Sequence, residues 1–402
     1  MQIPTSQNST YSAVQPGLLH GVTVVDLTRV LAGPYATMVL HQLGARVIKV
    51  EAPSGGDDAR AFGPFLNGKS TYFTALNGGK QSIALDLKQP ADRKTFEALL
   101  ESADVLVENF RPGVMERLGY GWPSLHQRYP SLIYAATSGF GATGPYRQRA
   151  AYDIVVQAMS GVMSITGQPG GPPTRVGISI GDITAGLYTA IGINAALYER
   201  RASGQGHLLD IGMLDCQVAI LEDALTAYAA TGQVPHAQGT QHPSIAPFSA
   251  FRAADGALVI AAANDVLFAK LCQALQRLDL LEHTDYQSNE LRHRHLQALR
   301  ETLEQTLRDK PVAAWLAILE QAGVPCGPIN DMAAVVGDPQ LQARHMLLPV
   351  HDPLAGDFTV AGNPIKVSGI ADAEHAAPAP ELDADRQRLL AEFCQRSQQV
   401  AS

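Results

Sequence analysis

The sequence predicts an α/β protein: a doubly wound parallel sheet in a large domain, joined to a smaller α+β domain. Three observations carry this expectation. Short β-branched runs alternate with helix-period segments from Gly21 to Ile211, the signature of strands joined by helical crossovers. Because the connections hold helices, the strands they join are parallel and the crossovers right-handed. Finally, the 402 residues exceed the roughly 250 to 300 that one core comfortably supports, and composition changes after Thr231. There GQVPHAQGTQHPSIAP is rich in Pro, Gly and His and has no period.

Residues 1–18 are polar and are expected to be disordered. Gly21–Leu27 (GVTVVDL) reads as a buried strand. Pro34–Leu43 reads as a helix with Pro in its first turn and Gly44 beyond its last, and Ala45–Glu51 (ARVIKVE) as a second strand. The alternation continues through the strand Ser82–Leu87, a helix over Ala91–Ser102, and strands at Asp104–Glu108 and Leu132–Thr137. Arg175–Ile180 reads as another strand, stopping at Gly181-Asp182, where a long apolar-periodic helix begins and runs to about Arg201. A strand at His207–Ile211 and a helix over Leu214–Ala230 follow. Phe248–Ala262 resembles a hairpin turning at Asp255-Gly256, and Asp265–Ala322 is mainly helical. The smaller domain with its linkers is placed at 225–330. One more α/β-like stretch reaches Gly369, and an amphipathic helix spans about Asp385–Gln395.

Hydrophobic residues make up 46% and charged residues 17%, the balance of a globular enzyme. No apolar run in the sequence approaches the ~20 residues that span a bilayer, and the N-terminus lacks signal-peptide regions, so a cytoplasmic protein without membrane attachment is expected. The net charge of −8 argues against a nucleic-acid partner, which needs basic surface, and requires any anionic ligand to meet locally placed Arg or Lys. Cys216, Cys272, Cys326 and Cys394 form no CxxC pair or Cys/His cluster; buried free thiols are expected and no metal site.

Doubly wound sheets bind ligands beyond the carboxyl ends of their strands. The loops to inspect are Arg29–Pro34, Glu51–Arg60, Lys88, Asn109–Arg111, Ser138–Gly144 and Asp182. None is a GxGxxG or Walker A sequence, which weakens a nicotinamide-dependent reading.

Six strings, VVDLTRVLAGPYAT, GARVIKVEAPSGGDDAR, ADVLVENFRPGVMERLG, SGFGATGPY, AYDIVVQAMSG and GDITAGLYTAIGINAALYERRASGQG, occur in order between residues 24 and 206. Together they resemble the class III coenzyme A transferases, the group of formyl-CoA:oxalate and carnitine CoA-transferases, with the α-methylacyl-CoA racemases as relatives. The resemblance implies a Rossmann-like large domain from both ends of the chain, here 19–224 and 331–402, and two subunits interlocked as a homodimer. It implies no permanently bound cofactor: coenzyme A and acyl-CoA are substrates, with a carboxylic acid as the second partner. The catalytic aspartate matches Asp182. Leu31, Ala32, Leu85, Lys88, Asn109, Phe110 and Arg117 match CoA-contacting positions, with solvated surface charge as the competing reading for Lys88 and Arg117. Arg60 and Arg111 lie in sheet-end loops, placed either to hold phosphate or a substrate carboxylate or as surface charges. The chain departs from the pattern at Leu31, where some members have Gln, and at Gly239-Thr240-Gln241-His242, which is not glycine-rich.

The implied chemistry suits these residue types. Moving CoA between acids without ATP requires that thioester energy be kept in a covalent intermediate, and a carboxylate keeps it first as a mixed anhydride and then as an aspartyl-CoA thioester. An Asp at a helix start is by itself most often an N-cap; the motifs make it a nucleophile. The helix dipole there is expected to favour the ionised form, and backbone N–H groups of a loop such as Gly139–Gly144 are candidates for holding the oxyanion. Racemases carry His immediately before the aspartate that is Asp153 here. Tyr152 takes that place, and a phenol titrating near ~10 is a poor base at neutral pH. Transfer is therefore favoured over the alternatives, an acyl-CoA racemase or isomerase and a non-catalytic CoA-binding protein. A small donor such as succinyl-CoA and a C4 or C5 dicarboxylate such as itaconate or mesaconate are expected from family usage.

Overall fold

The computed structural model describes residues 17–394. The expected disorder of residues 1–16 lies outside these residues, whereas Gly17 and Leu18 are placed, with the Gly17 carbonyl accepting the His20 N–H at 3.0 Å. The described chain forms two compact units, one of 17–162, 176–225 and 339–394, the other of 163–175 and 226–338.

The main sheet of the first unit holds six strands: β1 (Thr23–Asp26), β2 (Arg46–Glu51), β3 (Gln81–Ala84), β4 (Val105–Glu108), β5 (Ile133–Ser138) and β6 (Leu208–Gly212). All pair in parallel, in the order β3-β2-β1-β4-β5-β6. This is the order of dinucleotide-binding sheets, and it reverses between β1 and β4, where such sheets open a crevice. The helices that matter for the site are α1 (Ala32–Gln42), α2 (Pro90–Glu101), α3 (Asp153–Ser160), α4 (Ile180–Ser203) and α5 (Met213–Ala219).

Both faces of the sheet are covered, which explains the continuous apolar strand sequences. Val25, Ile48, Ile83 and Leu106 pack with Phe96, Leu99 and Leu100 of α2. Their sequence neighbours Val24, Val47 and Val105 face the other way, onto Leu40 of α1 and Ala190, Ile193 and Ala196 of α4. Close approach of α1 and α4 depends on Gly186, where a Cβ would lie 2.7 Å from the Ala32 carbonyl oxygen.

Three expectations need correction. Arg175–Ser179 is not a strand: the period-two spacing of Val176, Ile178 and Ile180 imitates one, but the Val176 N–H is satisfied by the Gln157 side chain at 2.9 Å and no ladder forms. The helix expected over Leu214–Ala230 is broken into Met213–Ala219 and Ala224–Thr231, with Glu222 turning the chain between them at a φ of 55°. In addition, α4, with 24 residues, is long and apolar enough to cross a membrane by length and composition, and 44% of its apolar window is buried. Its buried positions recur on one face as Ala185, Thr189, Ala190, Ile193 and Ala196, the spacing of a helix lying on a sheet.

In the second unit, Phe248–Arg252 and Ala257–Ala261 form the expected hairpin, extended by Cys326–Pro328 into a three-stranded antiparallel sheet. Phe251, Leu258, Ile260, Leu271, Leu303, Trp315 and Leu319 make its core. Buried Arg292 is satisfied by Asp265 at 2.6 Å and by the carbonyls of Ala246 and Tyr286. Cys216 and Cys272 are buried free thiols, while Cys326 is half-buried.

Candidate active site

Asp182 sits in the first turn of α4, whose N-cap residue Ser179 makes no side-chain cap. The free helix end is tied down from α3 instead. Asp153 accepts the Gly181 N–H at 2.8 Å through Oδ1 and the Gln157 amide N–H at 2.7 Å through Oδ2. From the other side, Gln217 of α5 donates to the Thr184 hydroxyl at 2.9 Å. Ala32, Val156, Ala185, Met213 and Cys216 close the apolar floor beneath this turn.

Burial pushes the Asp182 carboxyl up to about 7, and the Asp153 carboxylate adds to the shift. This corrects the expectation that the helix dipole holds Asp182 ionised: desolvation and a like charge outweigh a terminus effect worth about 0.3–1 kcal/mol. Tyr72 feels the same field. Its phenol is raised to about 12, first by burial and then by Asp182, Asp57 and Asp153.

Asp182 lines a cavity of about 230 Å³ with Leu31, Ala32, Asn109, Phe110, Arg111, Tyr152, Arg147 and Arg149. This cavity adjoins a cleft of about 810 Å³ through shared Arg29, Phe110, Arg111 and Pro112. The cleft carries Leu85, Lys88 and Arg117 along its length. A narrow chamber with a half-buried carboxylate thus opens at the β1/β4 switch into a longer groove rimmed by Lys88, Arg111 and Arg117, all three exposed.

The sequence-selected residues fall into three groups. Leu31, Ala32, Phe110, Arg111, Tyr152 and Asp182 meet in the chamber, and Leu85, Lys88 and Arg117 lie in the groove. Asn109 and Asp153 act on backbone. The Asn109 amide accepts the Arg29 N–H at 2.8 Å and donates to the Arg29 carbonyl at 2.7 Å, fixing the loop that leads to Leu31. That loop holds Val30 at a φ of 67°, a costly conformation for a β-branched residue, and the Val30 N–H is secured by Asp57 at 2.9 Å. Asp57 is itself buried against Lys49 at 2.9 Å; burial alone would raise its carboxyl, but the ammonium holds it below the usual range.

Arg60 stands apart, lining neither the chamber nor the groove. Its guanidinium pairs with Glu51 through two nitrogens at 2.7 and 2.8 Å and stacks on Phe73 at 3.8 Å, so it is a structural ion pair. Of the Gly139–Gly144 loop, Gly139 and Phe140 line the chamber, whereas the Ala142 N–H is committed to Asp210 at 3.0 Å. The sequence marks Arg29 only as the start of a loop after β1 and does not single out Tyr72, Arg147 or Arg149. Position was the available signal for the last two, which follow the SGFGATGPY string.

Comparison with known proteins agrees with this geometry. The family model described as CoA-transferase family III matches residues 19–386. An acetyl-CoA:oxalate CoA-transferase of Acetobacter aceti is 44% identical over 96% of this chain and 98% of its own length. The succinyl-CoA:glutarate CoA-transferase of Homo sapiens is 38% identical over 93% of this chain and 85% of its own. Among solved structures, a CAIB/BAIF family protein from Brucella suis superimposes with a TM-score of 0.82 at 38% identity, covering 94% of this chain and 100% of that one. A chain that carries these motifs, this sheet order and a half-buried aspartate in the chamber, and that matches over nearly its whole length, belongs to CoA-transferase family III and is a CoA-transferase.

Proposed function

We propose that Asp182 is the nucleophile that carries CoA from a small acyl-CoA, with succinyl-CoA as the leading donor, to a C4 or C5 dicarboxylic acid. The observation that carries this reading is the half-buried carboxylate lining a chamber that opens into a groove rimmed by Lys88, Arg111 and Arg117. The groove suits an extended CoA, its phosphates among those cations and its thioester in the chamber. The relatives support the acid class: beside the oxalate and glutarate enzymes stands a succinyl-CoA:mesaconate CoA-transferase of Haloarcula hispanica, 40% identical over 94% of this chain and 96% of its own.

The steps balance without a cofactor. The Asp182 carboxylate attacks the acyl-CoA carbonyl and expels CoA thiolate, leaving a mixed anhydride. The thiolate attacks the Asp182 carbonyl of that anhydride, releasing the donor acid and leaving aspartyl-CoA. The acceptor carboxylate displaces the thiolate to form a second anhydride, and the thiolate then attacks the acceptor's acyl carbon and frees Asp182. Exclusion of water protects both anhydrides, and the narrow chamber and apolar floor suit that task. Incubation with a panel of acyl-CoA donors and acids, with mass spectrometry of the CoA products, tests the reading. Transfer to a dicarboxylate is expected; transfer to none of them contradicts it.

Because only ionised Asp182 attacks, kcat/KM for the donor is expected to rise with pH and level off above about 7. Asp153→Asn removes the neighbouring negative charge while keeping an acceptor for the Gly181 N–H. Its profile is expected to level off at lower pH; an unmoved profile would show that Asp153 does not act on Asp182 electrostatically.

The same proposal includes a homodimer with interlocked subunits. The exposed side of α4 presents Tyr188, Ile191 and Tyr198 in one strip, the last two 61% and 79% exposed, an apolar face suited to a second copy. Equilibrium sedimentation at the mass of two chains is expected, and the mass of one chain would contradict it.

A further inference from the structure

We propose that Arg149, assisted by Arg147, forms the subsite that receives the second carboxylate of the acid substrate. This rests on the reading of a dicarboxylate-specific transferase and adds the residues that select that class.

Cations near the sheet's carboxyl end are largely committed within the protein. Arg29 pairs with Asp58 at 3.2 Å, Lys49 with Asp57 at 2.9 Å, Arg60 with Glu51 at 2.7 Å and Lys80 with Asp26 at 3.1 Å. Arg111 stands where the chamber meets the groove, so it is shared with the space assigned to CoA. Arg147 and Arg149 line the chamber and not the groove, and among the described residues no carboxylate pairs with either. They are the cations that remain for a negative charge brought in with the acid.

Arg149 is also held in place. Its guanidinium lies 4.6 Å from the centre of the Tyr146 ring and 5.6 Å from that of Phe140, and these rings pack edge to face at 5.7 Å. Packing against rings uses the face of a guanidinium and not its N–H donors, so the planar fork stays available to meet a carboxylate with two parallel hydrogen bonds. Phe140 lines the chamber as well, so the ring that steadies Arg149 also forms the wall. An acid with one carboxylate at Asp182 and the other at Arg149 is fixed at both ends. A monocarboxylate leaves the cation without its partner and is discriminated against.

Arg149→Gln and Arg147→Gln test this with succinyl-CoA as donor and two acceptors of equal chain length, glutarate and valerate. In a double-displacement reaction the acceptor's kcat/KM reports only steps after the acid meets CoA-loaded enzyme, so the donor's own second carboxylate drops out of the comparison. Wild type is expected to prefer glutarate. In Arg149→Gln the glutarate-to-valerate ratio of kcat/KM is expected to fall about 10- to 100-fold, as for loss of a charge-assisted hydrogen bond, with a smaller fall in Arg147→Gln. Arg149→Lys is expected to recover part of the ratio. Equal losses for both acids, or an unchanged ratio, would overturn the subsite while leaving a dicarboxylate transferase intact. A wild-type preference for valerate would overturn the dicarboxylate reading and the subsite with it.

Discussion

Asp182→Asn is expected to lower CoA transfer by at least about 10³-fold for every donor and acid, since no nucleophile remains to hold the thioester. Asp182→Ala is expected to behave alike and guards against slow deamidation of the Asn. The same change is expected to stabilise the fold. An Asp whose carboxyl is raised to about 7 in the folded chain, from 3.8 in the unfolded one, is ionised at a cost above pH 7. That cost fades as pH falls from 7 towards 4, where folded and unfolded chains are both protonated. Asp182→Asn is therefore expected to melt at a higher temperature than wild type at pH 8, with the advantage gone near pH 4. A variant that loses activity and stability together at pH 8 would instead mean that Asp182 supports the structure. Stability given up at a reactive group is a common pattern in enzymes.

The second large effect is expected at Gly181, next to Asp182. An added Cβ would lie 2.8 Å from Val156 Cγ2 and 3.0 Å from Asp153 Oδ1, the atom that accepts the Gly181 N–H. Ala favours the helix by up to about 1 kcal/mol over Gly, but overpacking of this kind costs about 1–3 kcal/mol and is relieved by moving the first turn of α4. A shift near 1 Å at the nucleophile costs on the order of 10²-fold in rate. Gly181→Ala is thus expected to stay folded with kcat reduced about 10²-fold. Adding Val156→Ala, which removes the nearer clash, is expected to restore part of it. Wild-type kcat in Gly181→Ala would show that the seating of this turn does not matter to the chemistry.

Much of the architecture is legible in the sequence because it depends on short-range pattern. The β1–α1–β2 unit follows from an apolar run, a helix with Pro in its first turn and a second run, and parallel pairing follows from the length of the connections. Arg175–Ser179 misleads for the same reason: alternation records which side chains are apolar, whereas a strand also needs a neighbour for its N–H groups, and Gln157 had taken one of them.

At the site, the legible part is residue type and motif. Asp182 is found from its string and its corner, and the groove residues from the loops that follow strands. Long-range pairing is not legible. Arg60 looks like any loop cation until β2 brings Glu51 against it, and nothing local tells that the amide of Asn109 clamps Arg29, 80 residues away, as well as lining the chamber. The ionisation of Asp182 also depends on the fold. Sequence places it at a positive helix end, but the fold sets Asp153 beside it and reduces its contact with water, and these two effects exceed the dipole.

The central claim is that CoA is held covalently on Asp182 between the two half-reactions. The most direct measurement is to mix the protein with succinyl-CoA alone, quench with hydroxylamine, which converts a thioester to a hydroxamate with release of CoA, and map the peptides by mass spectrometry. The expected result is a hydroxamate on Asp182 and none in Asp182→Ala. Continued transfer by wild type with no adduct on Asp182, or with the adduct on another residue, would contradict the account.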